Sequence, residues 1–585
     1  MKRAREPEDN NGTVHGSRDR ASTSSVAPKA SSLRPKCPYL DTVNRTYLDF
    51  DFEKLCSVSL SNMNIYVCLV CGKFFQGRGP RTHAHTHSLH DFHHVFMNLH
   101  TARIFCLPDN YEVLDSSLDD IKRALFPSFT PAAIAQLDTN TTLVRDVHGV
   151  SYLPGFVGLN NLKSTDYVNV VLQALGHVTP LRNYFLQPSL YEAGAKNQLV
   201  LRFGEVMRKL WSQDNFKSTV SPHDFLQEVV SASGKRFAIG KPGEAVDFLS
   251  WLLHQLHVGL GGTMPMVGCK GGEGGKKKKA GRRSVVLDCF QGEIRVRTLT
   301  KARKDWTVGG RGEEEGDEDD GTGRGNGAQE EKEGEPAGEW AVSETRSPFL
   351  FLTVDIPQTP LFKDSQGGVI IPHIPLYSVL DKFNGVKVVD AVKAGVHTRK
   401  QYWITRLPQY LILSLARLTR NHFFVEKNPT IVNFPVKNLE LRDYFLPEAG
   451  LPTEEGLKTM TVGELKGFVQ AHGGGDAKEA VEREDLEEQA RAVLNEVAGT
   501  KYDLVANVVH DSPPGQEKKE AARGEATPPG TYRVHVFNRA SDQWYEIQDL
   551  HVQETLPQLI TISESCVLIY EKKGVERARG CGRGH

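Results

Sequence analysis

The chain has 585 residues, and its 71 Lys and Arg balance 72 Asp and Glu to a formal net charge of −1. A chain of that length holds more than one core, so at least two domains are expected, and the even charge excludes a global attraction to nucleic acid or anionic membrane. No apolar run reaches the ~18 residues of a transmembrane helix, and the opening MKRAREPEDNNGTVHGSRDR carries no signal-peptide core. Nine cysteines without a regular framework point to a reducing compartment, cytosol or nucleus, and to metal-bound or buried thiols in place of disulfides.

Residues 1–34 are rich in Ser, Arg and Ala, lack apolar periodicity and are expected to form a disordered tail. From Cys37 to Phe126 aromatic, Cys and His residues concentrate, which predicts a small domain over residues 35–126. Within it Cys68-Leu-Val-Cys71 is one half of a tetrahedral zinc site, since two thiolates so spaced on a turn grip one ion. Histidines follow at 83, 85, 87, 90, 93, 94 and 100. His83 with His87 has the spacing of a DNA-reading finger, and His87 with His93 makes a longer loop. The missing core leucine, tandem copy and basic recognition helix argue against the DNA-reading form.

A short linker leads to Tyr152, where apolar patterning resumes and runs, with breaks, to Lys573, predicting a second domain over residues 150–573. Helical periodicity dominates its first part and strand alternation its second, so the body is read as α+β. An insertion at about 262–345 holds a Gly/Lys loop with KKKKAGRR at 276–283 and an acidic, Gly-rich loop with its charge run at 313–320. Neither buries enough apolar surface to offset its ordering entropy, and both are expected to be disordered. Between them SVVLDCFQGEIRVRTL alternates like a strand and its hairpin. A second insertion, about 453–498, has the Glu/Lys/Ala/Leu spacing of an amphipathic helix or helix pair. TYRVHVFNRASDQWYEIQDL and SCVLIYEKK read as strands of an antiparallel sheet.

YVCLVCGKFFQGRG…HAHTHSLHDFHHVFMNL resembles the zinc finger of ubiquitin hydrolases, whose pattern runs C-L-x-C-G…C-G-R…H-A-x-x-H…H. The resemblance implies one structural Zn2+ held by Cys68, Cys71, His87 and His93. Gln76 stands where the family has the cysteine of C-G-R, and the C-x-x-C that begins at Cys56 ends in Ser59, so the zinc site that those residues build in ubiquitin-tail-binding members is lost. Arg78 is kept without its usual platform. These departures argue against capture of a free ubiquitin C-terminus.

GLNNLKSTDYVNVVLQAL at 158–175 resembles the nucleophile box of ubiquitin-specific proteases, G-L-x-N-L-G-N-T-C-Y-x-N-S-x-L-Q, with Asp166 in the nucleophile's place. SPHDFLQEVV, EAVDFLSWLLHQL, DCFQGEIRV, SPFLFLTVDIP and LPQYLILSLARL resemble the later boxes in order. The resemblance implies a papain-like fold of thumb, palm and fingers behind the zinc finger. No C-x-x-C pair follows Gln291, which argues against a second zinc in the fingers. YDLVANVVH at 502–510 matches the histidine box. The family's G-H-Y, however, reads Gly530-Thr531-Tyr532, and its W-x-x-F-D-D reads WYEIQD. Thr531 thus replaces the base and Gln548 the residue that orients it, while Asn161 keeps the oxyanion position.

A cysteine hydrolase needs a thiolate, an imidazole base, a group orienting that base and oxyanion donors. A carboxylate, a hydroxyl and an amide supply none of the first three, and loss of nucleophile or base alone costs on the order of 10⁴–10⁶ in rate. Cys289, on the expected fingers strand, and Cys566, on a late strand, lie outside the nucleophile box, and His510 and His535 lie outside the base position. No catalytic residue is therefore expected. The chain is identified as a member of the inactive ubiquitin-specific-protease homologues of the spliceosomal tri-snRNP. That resemblance implies a nuclear pre-mRNA splicing factor that scaffolds assembly or maintenance of the tri-snRNP. Its partners would be tri-snRNP proteins, with weak or indirect RNA contact through basic segments such as KRAR at 2–5. The alternatives are a ubiquitin-binding receptor and an active deubiquitinase with an atypical nucleophile.

Overall fold

The computed structural model describes residues 37–263, 282–302, 340–358, 362–363, 369–393, 396–420, 425–446, 454–471, 483–512 and 530–574. The tail at 1–34, the four lysines at 276–279 and the acidic run at 313–320 lie outside the described residues.

The first unit is a five-stranded antiparallel sheet in the order β2-β1-β3-β4-β5. Its strands are β1 (Ile65–Cys68), β2 (Phe74–Gln76), β3 (Val95–Asn98), β4 (Ile104–Cys106) and β5 (Tyr111–Glu112). Helix α1 (His83–His90) joins β2 to β3, and α2 (Asp119–Leu125) closes the unit. Successive strand residues point to opposite faces. Ile65, Val67, Val95 and Met97 accordingly pack on Leu48, Leu118 and Ile121, and Tyr66, Cys68 and Phe96 pack on Ala84 and Phe75. The stretch read as a linker holds α3 (Pro131–Gln136), capped by the Thr130 hydroxyl, and the hairpin β6 (Val144–Arg145)–β7 (Ser151–Tyr152).

The second unit opens with β8 (Gly158–Leu159), paired in parallel with β9 (Thr219–Val220), and with helices α4 (Asp166–Gly176), α5 (Thr179–Phe185), α6 (Gln198–Trp211), α7 (His223–Ala232) and α8 (Ala245–Gly259). Every residue of α4 from Tyr167 to Gly176 is buried, so this helix is enclosed on all sides and sits at the centre of the core, its two polar side chains, Asn169 and Gln173, hydrogen-bonded there. One expectation is corrected here. Val285–Phe290 is not the start of a hairpin but a helix, α9, which buries Val286, Leu287, Cys289 and Phe290. A six-residue apolar run does not declare its period, and packing against α5 and α8 selects the helix. The ordered parts also correct the disordered insertion at 262–345, because residues 282–302 and 340–349 form α9 and two long strands.

Those strands, β10 (Gly292–Ala302) and β11 (Ala341–Phe349), join β16 (Val389–Lys393) and β17 (Val396–Arg406) in a four-stranded sheet of order β11-β10-β17-β16. Between them run β12 (Leu352–Asp355), the pair β13 (Phe362–Lys363)–β14 (Val369–Ile370), β15 (His373–Pro375) and α10 (Leu376–Leu380). Next come β18 (Tyr410–Ala416), the hairpin β19 (Leu418–Arg420)–β20 (Val425–Lys427), β21 (Ile431–Asn433) against β15, and β22 (Leu439–Glu440). Helices α11 (Glu454–Thr459), α12 (Val462–Ala471) and α13 (Arg483–Ala498) build a small core of their own from Leu457, Leu465, Val469, Leu486 and Ala490.

The chain closes with β23 (Lys501–Asp511), β24 (Thr531–Asn538), β25 (Gln543–Gln548), β26 (His551–Thr555), α14 (Pro557–Thr561) and β27 (Ser565–Lys572). These complete an eight-stranded sheet in the order β12-β18-β27-β23-β24-β25-β26, with β22 added on β23. Alternation along β27 shows why the sheet is covered twice. Val567 and Ile569 face α4 and the helical core, and Leu568 and Tyr570 face the second core with Leu411, Leu413 and Leu504. The body is α+β, as the pattern of elements predicted. No helix among the described residues is long and apolar enough to cross a membrane.

Residues 49–54 strap the first unit to the second. Asp51 accepts from Lys209 Nζ at 2.6 Å and from the Ser221 amide at 3.0 Å, and Lys54 reaches Asp224 at 2.9 Å. Lys217 pairs with Asp49, and Glu53 meets His223 and Gln227. Replacing Asp51 by Ala leaves Lys209, mostly buried, without its carboxylate and an amide without its acceptor. We expect Asp51→Ala to cost about 2–3 kcal/mol, read as a lower urea midpoint for the full chain; an unchanged midpoint would show that the strap bears no load.

Candidate metal centre and the nucleophile-box cleft

Cys68 ends β1, Cys71 lies in the following turn, His87 is on α1 and His93 precedes β3. Gly72 closes the turn at φ +75°, where an added Cβ would stand 2.0 Å from the Tyr47 carbonyl oxygen, so only glycine fits. The donor atoms of Cys68, Cys71, His87 and His93 all lie within 4.8 Å of one another. Cys68 Sγ is 3.6 Å from His93 Nδ1, Cys71 Sγ is 3.4 Å from His87 Nε2, and the two imidazole nitrogens are 3.0 Å apart. Zn–N bonds near 2.0 Å and Zn–S bonds near 2.3 Å put tetrahedral ligand atoms roughly 3.3–3.8 Å apart, so the donors fit one Zn2+. Asp91 Oδ2 lies 2.7 Å from His87 Nδ1 and turns Nε2 toward the thiolates. The hydrogen bond from the Cys68 thiol draws Cys71 down to about 4, the thiolate form a metal takes. His83 is not part of the group, so the DNA-reading pair is not assembled.

At the lost half-site hydrogen bonds stand where metal bonds would be. Cys56 Sγ accepts from the amides of Gln76 (3.2 Å) and Ser59 (3.5 Å), and the Ser59 hydroxyl donates to Gln76 Oε1 at 3.0 Å. Arg78 has a platform of another kind, with its guanidinium 4.0 Å above the Phe105 ring and bonded to Asn110. Cys37 and Cys106 belong to the finger's apolar core.

The second unit brings Asp166, Thr531 and Gln548 together from distant parts of the chain. Asp166 starts α4 and its Oδ2 accepts from the Tyr532 amide at 2.9 Å, one residue past Thr531 on β24. Gln548, at the end of β25, donates to the Thr531 hydroxyl at 3.3 Å. Burial pushes the Asp166 carboxyl up. The donor loop is held by a residue that the motif reading passed over. Asp549 accepts from Asn161 Nδ2 and from Asn169 Nδ2, each at 2.9 Å, and Asn161 Oδ1 accepts from the Thr165 amide at 3.0 Å. The signal was present in WYEIQD, which keeps the second acid of W-x-x-F-D-D.

None of the other nucleophile or base candidates enters this cleft chemistry. Burial pushes the thiols of Cys289 on α9 and Cys566 on β27 up, away from the thiolate. His510 packs its ring 4.6 Å from that of Tyr532 and is pulled down to about 3 by burial and by Lys427. His535 is bonded to Glu546 at 3.0 Å and to Asn507 at 3.2 Å inside the sheet. Two carboxylates, Asp166 and Asp549, border the place where an oxyanion would form, the wrong sign for stabilising it.

Residues 157–570 match the family model of the ubiquitin carboxyl-terminal hydrolases, and residues 56–118 match that of the zinc finger in ubiquitin-hydrolases and other proteins. Among curated proteins the chain is 43% identical over 543 residues to ubiquitin carboxyl-terminal hydrolase 39 of Homo sapiens, covering 92% of this chain and 80% of that one. It is 35% identical over 537 residues to the probable mRNA-splicing protein ubp10 of Schizosaccharomyces pombe, covering 91% and 88%. It is 25% identical over 553 residues to the pre-mRNA-splicing factor SAD1 of Saccharomyces cerevisiae, covering 93% and 95%. Among solved structures, an essential yeast splicing factor shares the fold with a TM-score of 0.60 at 24% identity, over 92% of this chain and 99% of that one.

Metal analysis of the purified chain is expected to return one zinc per molecule, and close to none for Cys71→Ser, whose finger loses protection from proteolysis. Full zinc in that variant would remove the assigned ligand set. A second expectation concerns acid. Burial holds His177 at about 4 and His510 at about 3 in the folded chain, against 6.5 for a free imidazole. Both bind protons more readily unfolded, so their contribution to stability is complete above pH 6.5 and is lost as pH falls from 6.5 through 4 toward 3. Each contributes at most about 1.4 kcal/mol per pH unit, and urea unfolding at pH 7, 6 and 5 should steepen accordingly, less so in His510→Gln. Stability that stays flat over that range would contradict the burial of both rings.

Proposed function

The chain belongs to the ubiquitin carboxyl-terminal hydrolase family, and from that membership we propose that it is a catalytically inactive member working as a nuclear pre-mRNA splicing factor. In this reading a zinc-finger domain (35–126) and a degenerate protease domain (150–573) form a scaffold for assembly or maintenance of the spliceosomal tri-snRNP.

The inactive half of the reading rests on one observation, the Asp166 carboxylate bonded to the Tyr532 amide where a thiolate would have to attack. A carboxylate there repels the negative charge that develops on a substrate carbonyl and leaves as readily as it attacks. Thr531 has no imidazole nitrogen to take a proton near neutral pH, and Gln548 orients only that hydroxyl. Asn161 and its bracing by Asp549 persist, so the loop around the cleft keeps its shape without its chemistry.

The splicing half rests on similarity over nine-tenths of the chain to proteins named as splicing factors in two yeasts. A finger fastened to the body by the strap at 49–54 suits a scaffold, because both units then present their surfaces in one fixed arrangement. One structural zinc stabilises the finger. The hydrogen-bonded Cys56–Ser59–Gln76 corner stands in place of the half-site that ubiquitin-tail-binding fingers build, which weighs against capture of a ubiquitin tail.

Incubation with ubiquitin carrying a C-terminal propargylamide is expected to give no adduct, and affinity purification from nuclear extract is expected to recover tri-snRNP proteins. An adduct abolished by changing a single cysteine would end the inactive reading. Recovery of no spliceosomal protein would end the scaffold reading and leave the first intact.

A further inference from the structure

The stretch from Asn44 to Lys54 touches both the metal turn and the body. At its start the Asn44 amide donates to the Leu69 carbonyl at 2.9 Å, and the turn at Gly72 closes on the Tyr47 carbonyl. Leu69 lies between the ligands Cys68 and Cys71, and Gly72 follows the second. Leu48 and Phe50 then enter the apolar cluster built on β1, which ends in Cys68, and on β3, which begins two residues after His93. Alternating with them, Asp49 and Asp51 pair with Lys217 and Lys209 of the body, and Glu53 and Lys54 with His223 and Asp224.

The body contributes a side chain to the finger's own core. Phe216, between α6 and β9, packs against the cluster of Leu48, Phe50 and Ala124, with its ring 6.3 Å from that of Phe50. Its loop is fixed from behind. The Asn215 amide donates to the Tyr152 hydroxyl at 3.2 Å, Asn215 Nδ2 to the Lys209 carbonyl at 2.8 Å, and the Val147 amide to the Phe216 carbonyl at 3.3 Å. Lys209, the partner of Asp51, stands on α6 two residues before Trp211, which lies in the main core of the body. Two finished domains in simple contact would each close a core on its own; here one core is completed by the other unit.

We propose that residues 44–54 and Phe216 couple metal binding in the finger to the stability of the body, so that the two units unfold as one while zinc is held. A ligand bound only by the folded state stabilises everything that unfolds together with its site. Loss of the metal frees the turn at 69–72, and the segment resting on that turn is the one that holds Lys209 and receives Phe216. Zinc occupancy then decides whether the chain is one rigid body or two. This coupling rests on the ligand set assigned above, and on neither the inactive nor the splicing reading.

All six tryptophans, at 211, 251, 306, 340, 403 and 544, follow residue 150, so tryptophan fluorescence reports on the body alone. Thermal unfolding of the full chain is followed by that signal with zinc bound and after its removal by a chelator, with the zinc content of each sample measured. Removal is expected to lower the midpoint by about 5 °C or more. In Phe216→Ala with Asp51→Ala, the same removal is expected to move it by less than about 1 °C. Phe216→Leu with Asp51→Asn should give a shift smaller than the parent's, and it decides the matter if the first pair does not fold. A zinc-free parent chain with an unmoved tryptophan midpoint would overturn the coupling and leave the ligand set intact. A shift as large as the parent's in the variants would overturn the route through the strap.

Discussion

Burial of α4 on every side is the constraint on which the second unit depends. Its apolar residues reach α8 on one side and β23 and β24 on the other, so any change in its placement is felt by helices and sheet together. The residues at and just before its N-terminus are therefore carried to a fixed place beside the start of β24 and the end of β25. In a protease that rigidity would deliver a nucleophile to its base. Here it delivers Asp166 to a backbone amide, and the same architecture becomes a tie between helix and sheet.

Asp549 shows how a fold outlives its chemistry. It accepts from both Asn161 and Asn169, bridging the turn after β25 to the loop before α4 and to α4 itself. Removing a catalytic group from the cleft leaves the two amide donors and the carboxylate paired with one another. Loss of Asp549 would take the acceptor from Asn161 Nδ2 and leave Asn169 Nδ2 with only its longer bonds to the Leu159 and Asn160 carbonyls, at 3.3 and 3.4 Å. The substitutions at 166, 531 and 548 are thus compatible with a stable body, since none of them empties a buried polar site.

The finger follows the opposite economy. Its core is divided between the two faces of one small sheet, and metal coordination adds folding free energy to what those two clusters supply. Where Ser59 and Gln76 stand in place of two cysteines, they and Cys56 close the corner with ordinary hydrogen bonds. The strap at 49–54 then adds the surface of α6 and α7 to what holds the finger in place.

Much of this was legible in the chain itself. The C-x-x-C at Cys68 and Cys71, the choice of His87 and His93, the α+β class and the strands after residue 500 were all read from local spacing and from a family pattern, and geometry and similarity agree with them. The short run Val285–Phe290 was misread because six apolar residues carry no decisive period. The amphipathic spacing at 453–498 announced helices but not the separate core that they share. What the sequence by itself determined is chemical identity: which groups exist, and that no thiol stands in the nucleophile box. Only the tertiary structure decided which groups meet. Asp166 with the Tyr532 amide, Asp549 with two asparagines and Asp51 with Lys209 are separated by hundreds of residues, and contacts of that range follow from the packing of whole elements, which no local pattern encodes.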